Sequence, residues 1–196
     1  MSAIDLTADR RRLLERHLDE LERWNRRLNL TTVPRDRAWD RHVGESVALL
    51  EAARLEPGAR CADLGSGGGV PGIPAAVLRP DVEVSLIESD RRKAGFLVHV
   101  CGLLELDNVR VLDRRAEDMA VDARHRGRYD AVVSRAAAPP AQLWALADPL
   151  LTATGSLWAL VAAADGAAAE RALHGVPGLR VGRPSAGILA VRKLGG

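Results

Sequence analysis

Leucines recur at helical spacing through the start of the chain. Over residues 6 to 30, Leu14, Leu18, Leu21 and Leu28 fall on one face, with arginines and acids between them. That spacing predicts an amphipathic helix. A second helix is predicted over 37–53, with Trp39, Val43, Val47 and Leu50 on one face. The stretch "EPGAR" then interrupts the pattern. Beyond it, short apolar runs alternate with helical stretches. "RCADLG", "VEVSLIES", "VRVLD", "YDAVVSR" and "GSLWALVAA" read as strands. "VPGIPAAVLRP", "DRRKAGFLVHVCGLLEL", "AQLWALADPLL" and "GAAAERALHG" read as helices, and "LRVGR" with "GILAVRK" as a closing hairpin. This alternation predicts an α/β fold, a parallel sheet covered on both faces, with an antiparallel strand added by the hairpin. The whole chain, 1–196, reads as one domain: an N-terminal helical extension (1–55) packed on a sheet core (56–196).

Composition narrows the function classes a little. The net charge of +2 is too small to demand a polyanionic partner. The basic residues are nearly all arginine, Lys93 and Lys193 being the lysines. Cys61 and Cys101 lie far apart in apolar surroundings, which predicts buried thiols and no metal site. No apolar run reaches membrane-spanning length, and the N-terminus lacks an apolar signal core, so a cytosolic location and no membrane partner are expected.

The chemistry concentrates in "ADLGSGGGVPGIP", residues 62–74, which puts five glycines and two prolines between the first strand and the next helix. Ligands of open parallel sheets bind at the carboxyl ends of the strands, where strand order reverses. Glycines there allow positive φ and close approach of a ligand. Gly67, Gly69 and Gly72 satisfy the dinucleotide pattern G-x-G-x-x-G. Asp63, Gly65, Gly67 and Gly69 also satisfy D-x-G-x-G-x-G, whose acid suits a cofactor with an ammonium group, such as S-adenosylmethionine, and would repel a pyrophosphate. Glu88 ends the second strand, placed to accept hydrogen bonds from ribose hydroxyls of either cofactor.

The stretch "DLGSGGGVPGIPAAVLRPDVEVSLIESDRRKAGFLVHV" closely resembles the GidB/RsmG-type small-subunit (16S) ribosomal RNA guanine-N7 methyltransferases. "WNRRLNLTTV", "RHVGES", "RRAED", "VVSRA" and "GILAVRK" carry the likeness over roughly residues 13 to 193. The resemblance implies a Rossmann-like class I methyltransferase with a seven-stranded sheet, S-adenosyl-L-methionine as donor, and 16S rRNA or the small ribosomal subunit as partner to a monomer. It implies that Gly65 and Val70 contact the cofactor, that Ala116 and Glu117 frame its adenine, and that Arg135 ends the fourth strand facing the active site, a candidate to bind the cofactor or position the RNA; as a strand end its side chain is expected to face solvent. RNA-binding candidates are Arg10, Arg11, Arg12, Arg26, Arg27, Arg91, Arg92 and Lys93, with His42 at a family position; alone, His42 reads as a hydrogen-bonded packing residue. Val161 and Ala162 stand where the family usually has Lys-Gly. No motif for a general base stands out. A small-molecule methyltransferase, or a cofactor-binding RNA-associated protein without turnover, are the alternatives.

Overall fold

The computed structural model describes residues 4–135 and 138–194. Ala136, part of the "VVSRA" segment, lies outside them. The first helix, α1, covers Ala8–Leu28, with Thr7 capping the Arg10 amide and Asn29 closing the other end in the left-handed conformation. Leu14, Leu18 and Leu21 are buried, as their spacing predicts, and so is His17 on the same face. The second predicted helix is one helical run in three parts: α2 (Arg35–Ala38), a π-helical turn (Trp39–Gly44) and α3 (Glu45–Ala53). The wide π turn sets His42 and Val43 side by side toward the interior.

The strands follow as β1 (Arg60–Leu64), β2 (Glu83–Glu88), β3 (Val109–Asp113), β4 (Tyr129–Arg135), β5 (Leu151–Leu160), β6 (Leu179–Ser185) and β7 (Ile188–Lys193). The helices between them are α4 (Gly72–Leu78), α5 (Arg91–Leu103), α6 (Ala116–Val121), α7 (Pro140–Ala147) and α8 (Gly166–His174). The sheet order is β3-β2-β1-β4-β5-β7-β6. β1 to β5 pair in parallel, and β7 runs antiparallel to both neighbours. Leu151, placed by pattern in the preceding helix, instead opens β5, where it pairs with Tyr129. The tertiary pairing overrides the helical spacing of "ADPLL".

Side chains alternate across the sheet, so each strand feeds two cores. Cys61, Leu86, Val133 and Leu160 pack beneath α1 and α3 to α5, while Leu64, Ile87, Val132 and Leu157 pack against α6 to α8. Both cysteines are buried and free, and burial raises both thiol pKa values. Among the described residues no helix is long and apolar enough to cross a membrane, and no group of three or more His, Cys, Asp or Glu is placed to hold a metal.

Candidate active site

Strand order reverses between β1 and β4, and their carboxyl ends separate beyond Asp63 and Val133, the last paired residues. The Ser134 hydroxyl donates to the Leu64 carbonyl (2.8 Å) across the widening gap. This is where an open sheet offers its crevice. The glycine loop leaves β1 here. Gly65, Gly67 and Gly69 have φ of 69°, 50° and 83°, so three of the five glycines are required by backbone conformation.

The other two stand where space is short. At Gly72, a Cβ would lie 2.6 Å from Asp63 Oδ2 and against Leu86. At Gly68, whose φ is not left-handed, it would lie 2.7 Å from Leu21 of α1. The Gly68 carbonyl accepts a hydrogen bond from His17 Nε2–H at 2.8 Å. The helical extension therefore rests directly on the loop, a contact made by His17 that the sequence reading does not identify. The available signal was its place among the leucines of the buried face.

Asp63 is fully buried. Its Oδ2 accepts from the Gly72 amide at the start of α4 (3.0 Å), and its Oδ1 has no partner. Burial, with a smaller push from the Glu88 charge, raises its pKa to about 7, against the lowering by the Gly72 amide and the nearby Ser66 hydroxyl, which itself donates to the Asp63 backbone carbonyl. Glu88 is 8% exposed at the end of β2. Its Oε2 accepts from the Gly67 amide and its Oε1 from the Asp90 amide, both at 2.8 Å. Each oxygen keeps a further lone pair for a ligand. Asp113, ending β3, pairs in register with Glu88, and α6 begins at Ala116, partly buried beside exposed Glu117. Asp63, Gly65 to Val70, Glu88 and the 116–117 turn thus line consecutive strand ends on one edge of the sheet.

The β4 side of the crevice is different. Arg135 is not the solvent-facing strand end expected from sequence: its side chain is only 19% exposed. The π turn and α3 fold over it. Its guanidinium pairs with Glu45, donates to the Arg41 carbonyl, and donates to His42 Nδ1 at 3.1 Å. Because arginine only donates, His42 carries its hydrogen on Nε2, which points to Thr31 Oγ1 at 3.1 Å. Burial first, then the Arg135 charge, lowers the His42 pKa to about 3, so the ring is neutral. His42 is 2% exposed and bonded at both nitrogens, which corrects its reading as a direct RNA contact. Asn25 brackets the next turn: its amide donates to the Thr31 carbonyl (2.8 Å) and its carbonyl accepts from the Thr31 amide (2.9 Å). These contacts explain "WNRRLNLTTV" and "RHVGES" as two halves of one wall. Asn29, Thr31, Arg41, Arg135, Leu160 and Val161 surround a cavity of about 390 Å³, with Ala162 at its rim.

The candidate RNA contacts divide. Arg91, Arg92 and Lys93 open α5 after Asp90, which caps the Arg92 and Lys93 amides, on the glycine-loop edge. Arg91 pairs with Asp113 at 3.3 Å. Arg26 and Arg27 end α1 as exposed residues before the Asn29 turn. Arg10, Arg11 and Arg12 are not brought to the site. Arg10 donates to the Asp5 carbonyl at 2.7 Å, Arg11 stacks over Trp39 at 4.4 Å, and Arg12 pairs with Asp9 at 3.1 Å.

Comparison with known proteins agrees with this geometry. A protein named ribosomal RNA small subunit methyltransferase G from Polynucleobacter asymbioticus is 39% identical over 163 residues, covering 81% of this chain and 72% of its own. One of the same name from Roseiflexus castenholzii is 40% identical over 129 residues, covering 65% of this chain and 55% of its own. The chain thus spans between about half and three quarters of these relatives' length. Among solved structures, a precorrin-6y C5,15-methyltransferase from Geobacter metallireducens matches 76% of this chain and 87% of its own, with a TM-score of 0.56 and 17% identity, a likeness of fold. The family model described as rRNA small subunit methyltransferase G matches residues 10–173, from α1 through α8, and the chain belongs to that family, GidB.

Proposed function

We propose that this protein transfers a methyl group from S-adenosyl-L-methionine to N7 of a guanine in 16S rRNA of the small ribosomal subunit. The observation that carries the cofactor assignment is the acid at the head of the glycine loop. Asp63 keeps an unpartnered buried oxygen there, and Glu88 ends the neighbouring strand. An acid at the head of the loop favours a cofactor with a cationic group and opposes a pyrophosphate, whereas Glu88 suits the ribose of either cofactor. Glu88 would accept the ribose hydroxyls while holding Gly67 in place. The loop from Gly65 to Val70 would carry the methionine portion, and the Ala116–Glu117 turn would flank the adenine.

S-adenosylmethionine supplies an electrophilic methyl group on a sulfonium. Guanine N7 has an exposed lone pair and needs no proton removed, so the protein's task is alignment. The cavity beside Arg135 has the volume for a nucleobase. Arg135, held by Glu45 and His42, would fix that wall, and Asn29 and Thr31 add polar edges for the base. Leu160 and Val161 supply the apolar floor. Arg91, Arg92, Lys93, Arg26 and Arg27 would take the RNA backbone, since arginine and lysine neutralise phosphates. Monomeric action on a cytoplasmic ribosomal subunit accords with this reading.

Calorimetric titration tests the cofactor. The expected outcome is binding of S-adenosylmethionine and of its demethylated product, with no heat from nicotinamide dinucleotide. Dinucleotide binding without a response to S-adenosylmethionine would overturn the assignment.

A further inference from the structure

The glycine loop has two sides, and α1 occupies the one away from the ligand crevice. Gly68 records this contact in the sequence. Its φ does not require glycine, yet a Cβ would meet Leu21 at 2.7 Å and the Leu30 carbonyl at 3.4 Å. Leu21 is 2% exposed and has little room to withdraw. The same residue gives its carbonyl to His17 at 2.8 Å. Because a carbonyl only accepts, His17 carries its hydrogen on Nε2, and Nδ1 is left bare, buried and unpartnered. A buried polar atom left unpartnered is a standing cost, and here it accompanies one directed bond to the loop.

That bond continues into the site. Gly67, the next residue toward β1, donates its amide to Glu88 at 2.8 Å, and Gly69 donates to the Ser66 carbonyl at 2.6 Å. The Gly68 carbonyl and the Gly69 amide share one peptide plane, so its rotation would break the bond to Ser66 and loosen the loop beside Gly67. Resting on the S-adenosylmethionine reading above, we infer that α1 and the glycine loop are one coupled unit: His17 is a positioning residue that holds the loop in its cofactor-receptive shape through Gly68. The coupling runs through this one bond, so cofactor affinity depends on the His17 donor and not on the packing of α1 in general.

The test compares four forms of the chain: wild type, His17→Phe, His17→Gln and Leu14→Ala. Phenylalanine fills the space without a donor. Glutamine keeps an N–H of similar reach. Leu14→Ala removes buried packing from the same helix one turn away. Titration with S-adenosylhomocysteine is expected to show about tenfold weaker binding for His17→Phe, roughly 1.4 kcal/mol. The Gln variant is expected to stay within about threefold of wild type, the reach of its retained hydrogen bond. Leu14→Ala is expected to melt earlier with an unchanged Kd. At saturating cofactor, kcat of the Phe variant should stay within about twofold, since the loss lies in ground-state binding. Wild-type affinity in His17→Phe, or equal weakening in Leu14→Ala, would reduce His17 to a packing residue and overturn the inference. If His17→Phe does not fold, His17→Asn, whose amide stops short of Gly68, replaces it. Hydrogen exchange without ligand gives an independent reading: residues 67–73 should exchange faster in the Phe variant and not in Leu14→Ala. Should the wild type bind no S-adenosylhomocysteine, the cofactor reading fails, and unchanged exchange at 67–73 would sink the coupling as well.

Discussion

The two walls of the crevice are built in opposite ways. The β1–β2 wall is local: the contacts of Asp63 with Gly72 and of Glu88 with Gly67 join residues 9 and 21 apart. The β4 wall is assembled from afar: Arg135 meets His42 and Glu45 across 93 and 90 residues. A site made of near neighbours is dictated by backbone geometry, and its residues tolerate little change. A site made by docking one region on another is defined by side-chain partners, and its loss should spread into stability. On the proposed function, the first wall takes the cofactor and the second the substrate.

Four substitutions or titrations would break or sharpen it. The largest effect is expected at Gly72. Gly72→Ala forces a Cβ against Leu86 and Asp63, and overpacking of this kind typically costs about 1–3 kcal/mol. Urea unfolding should fall toward the upper end of that range, with cofactor binding lost in parallel. A fully stable variant would mean the loop has slack the structure does not show.

Arg135→Ala comes next. It should lower methylation at saturating cofactor by at least about tenfold, or roughly 1.4 kcal/mol of barrier. It should also lower stability by about 2 kcal/mol, below the cost of breaking a fully buried pair because Glu45 is 30% exposed. Affinity for S-adenosylmethionine should hold. Weakened cofactor binding at a normal saturated rate would assign Arg135 to the wrong wall.

Glu88→Ala should do the reverse, weakening cofactor binding by roughly 1–2 kcal/mol, the scale of hydrogen bonds to a charged group, with saturated turnover retained. An unchanged dissociation constant would leave Glu88 only its bonds to Gly67 and Asp90.

The smallest effect is on pH. His17 and His42 have pKa values lowered by burial to about 4 and about 3, against 6.5 unfolded, so the unfolded chain binds two more protons there between pH 6.5 and 4. Asp63 acts oppositely: raised to about 7 from 3.8, it holds a proton in the folded state over much of that range. Two histidines against one carboxyl leave about one proton, so stability should fall by about 1 kcal/mol per unit as pH drops near 5. His17→Gln should flatten this slope and Asp63→Asn should roughly double it. A slope unmoved in both would contradict the buried charges as assigned.

Much of the fold was legible because it repeats. The change from helical to strand period at residue 60, the glycine loop and Glu88 at a strand end all follow from short-range rules. Leu151 escaped because strand pairing overruled a helical pattern. His42 read alone is a hydrogen-bonded packing residue, as found, but its pairing with Arg135 was not legible, since a hydrogen bond across 93 positions leaves no periodic trace. His17 hid among leucines for the same reason: its partner is a backbone carbonyl 51 residues away. Asp63 was recognised as part of a motif, while its burial and its bond to Gly72 required the sheet to be assembled.

The most direct measurement is methyl transfer to purified small ribosomal subunits that lack the modification, with the methylated base mapped by strand cleavage at N7-methylguanine. The predicted result is a single guanine of 16S rRNA methylated at N7, lost with Arg135→Ala at saturating S-adenosylmethionine and recovered at high cofactor with Glu88→Ala. No methylation of small-subunit RNA by a chain that binds S-adenosylmethionine, or transfer to another base position, would contradict it.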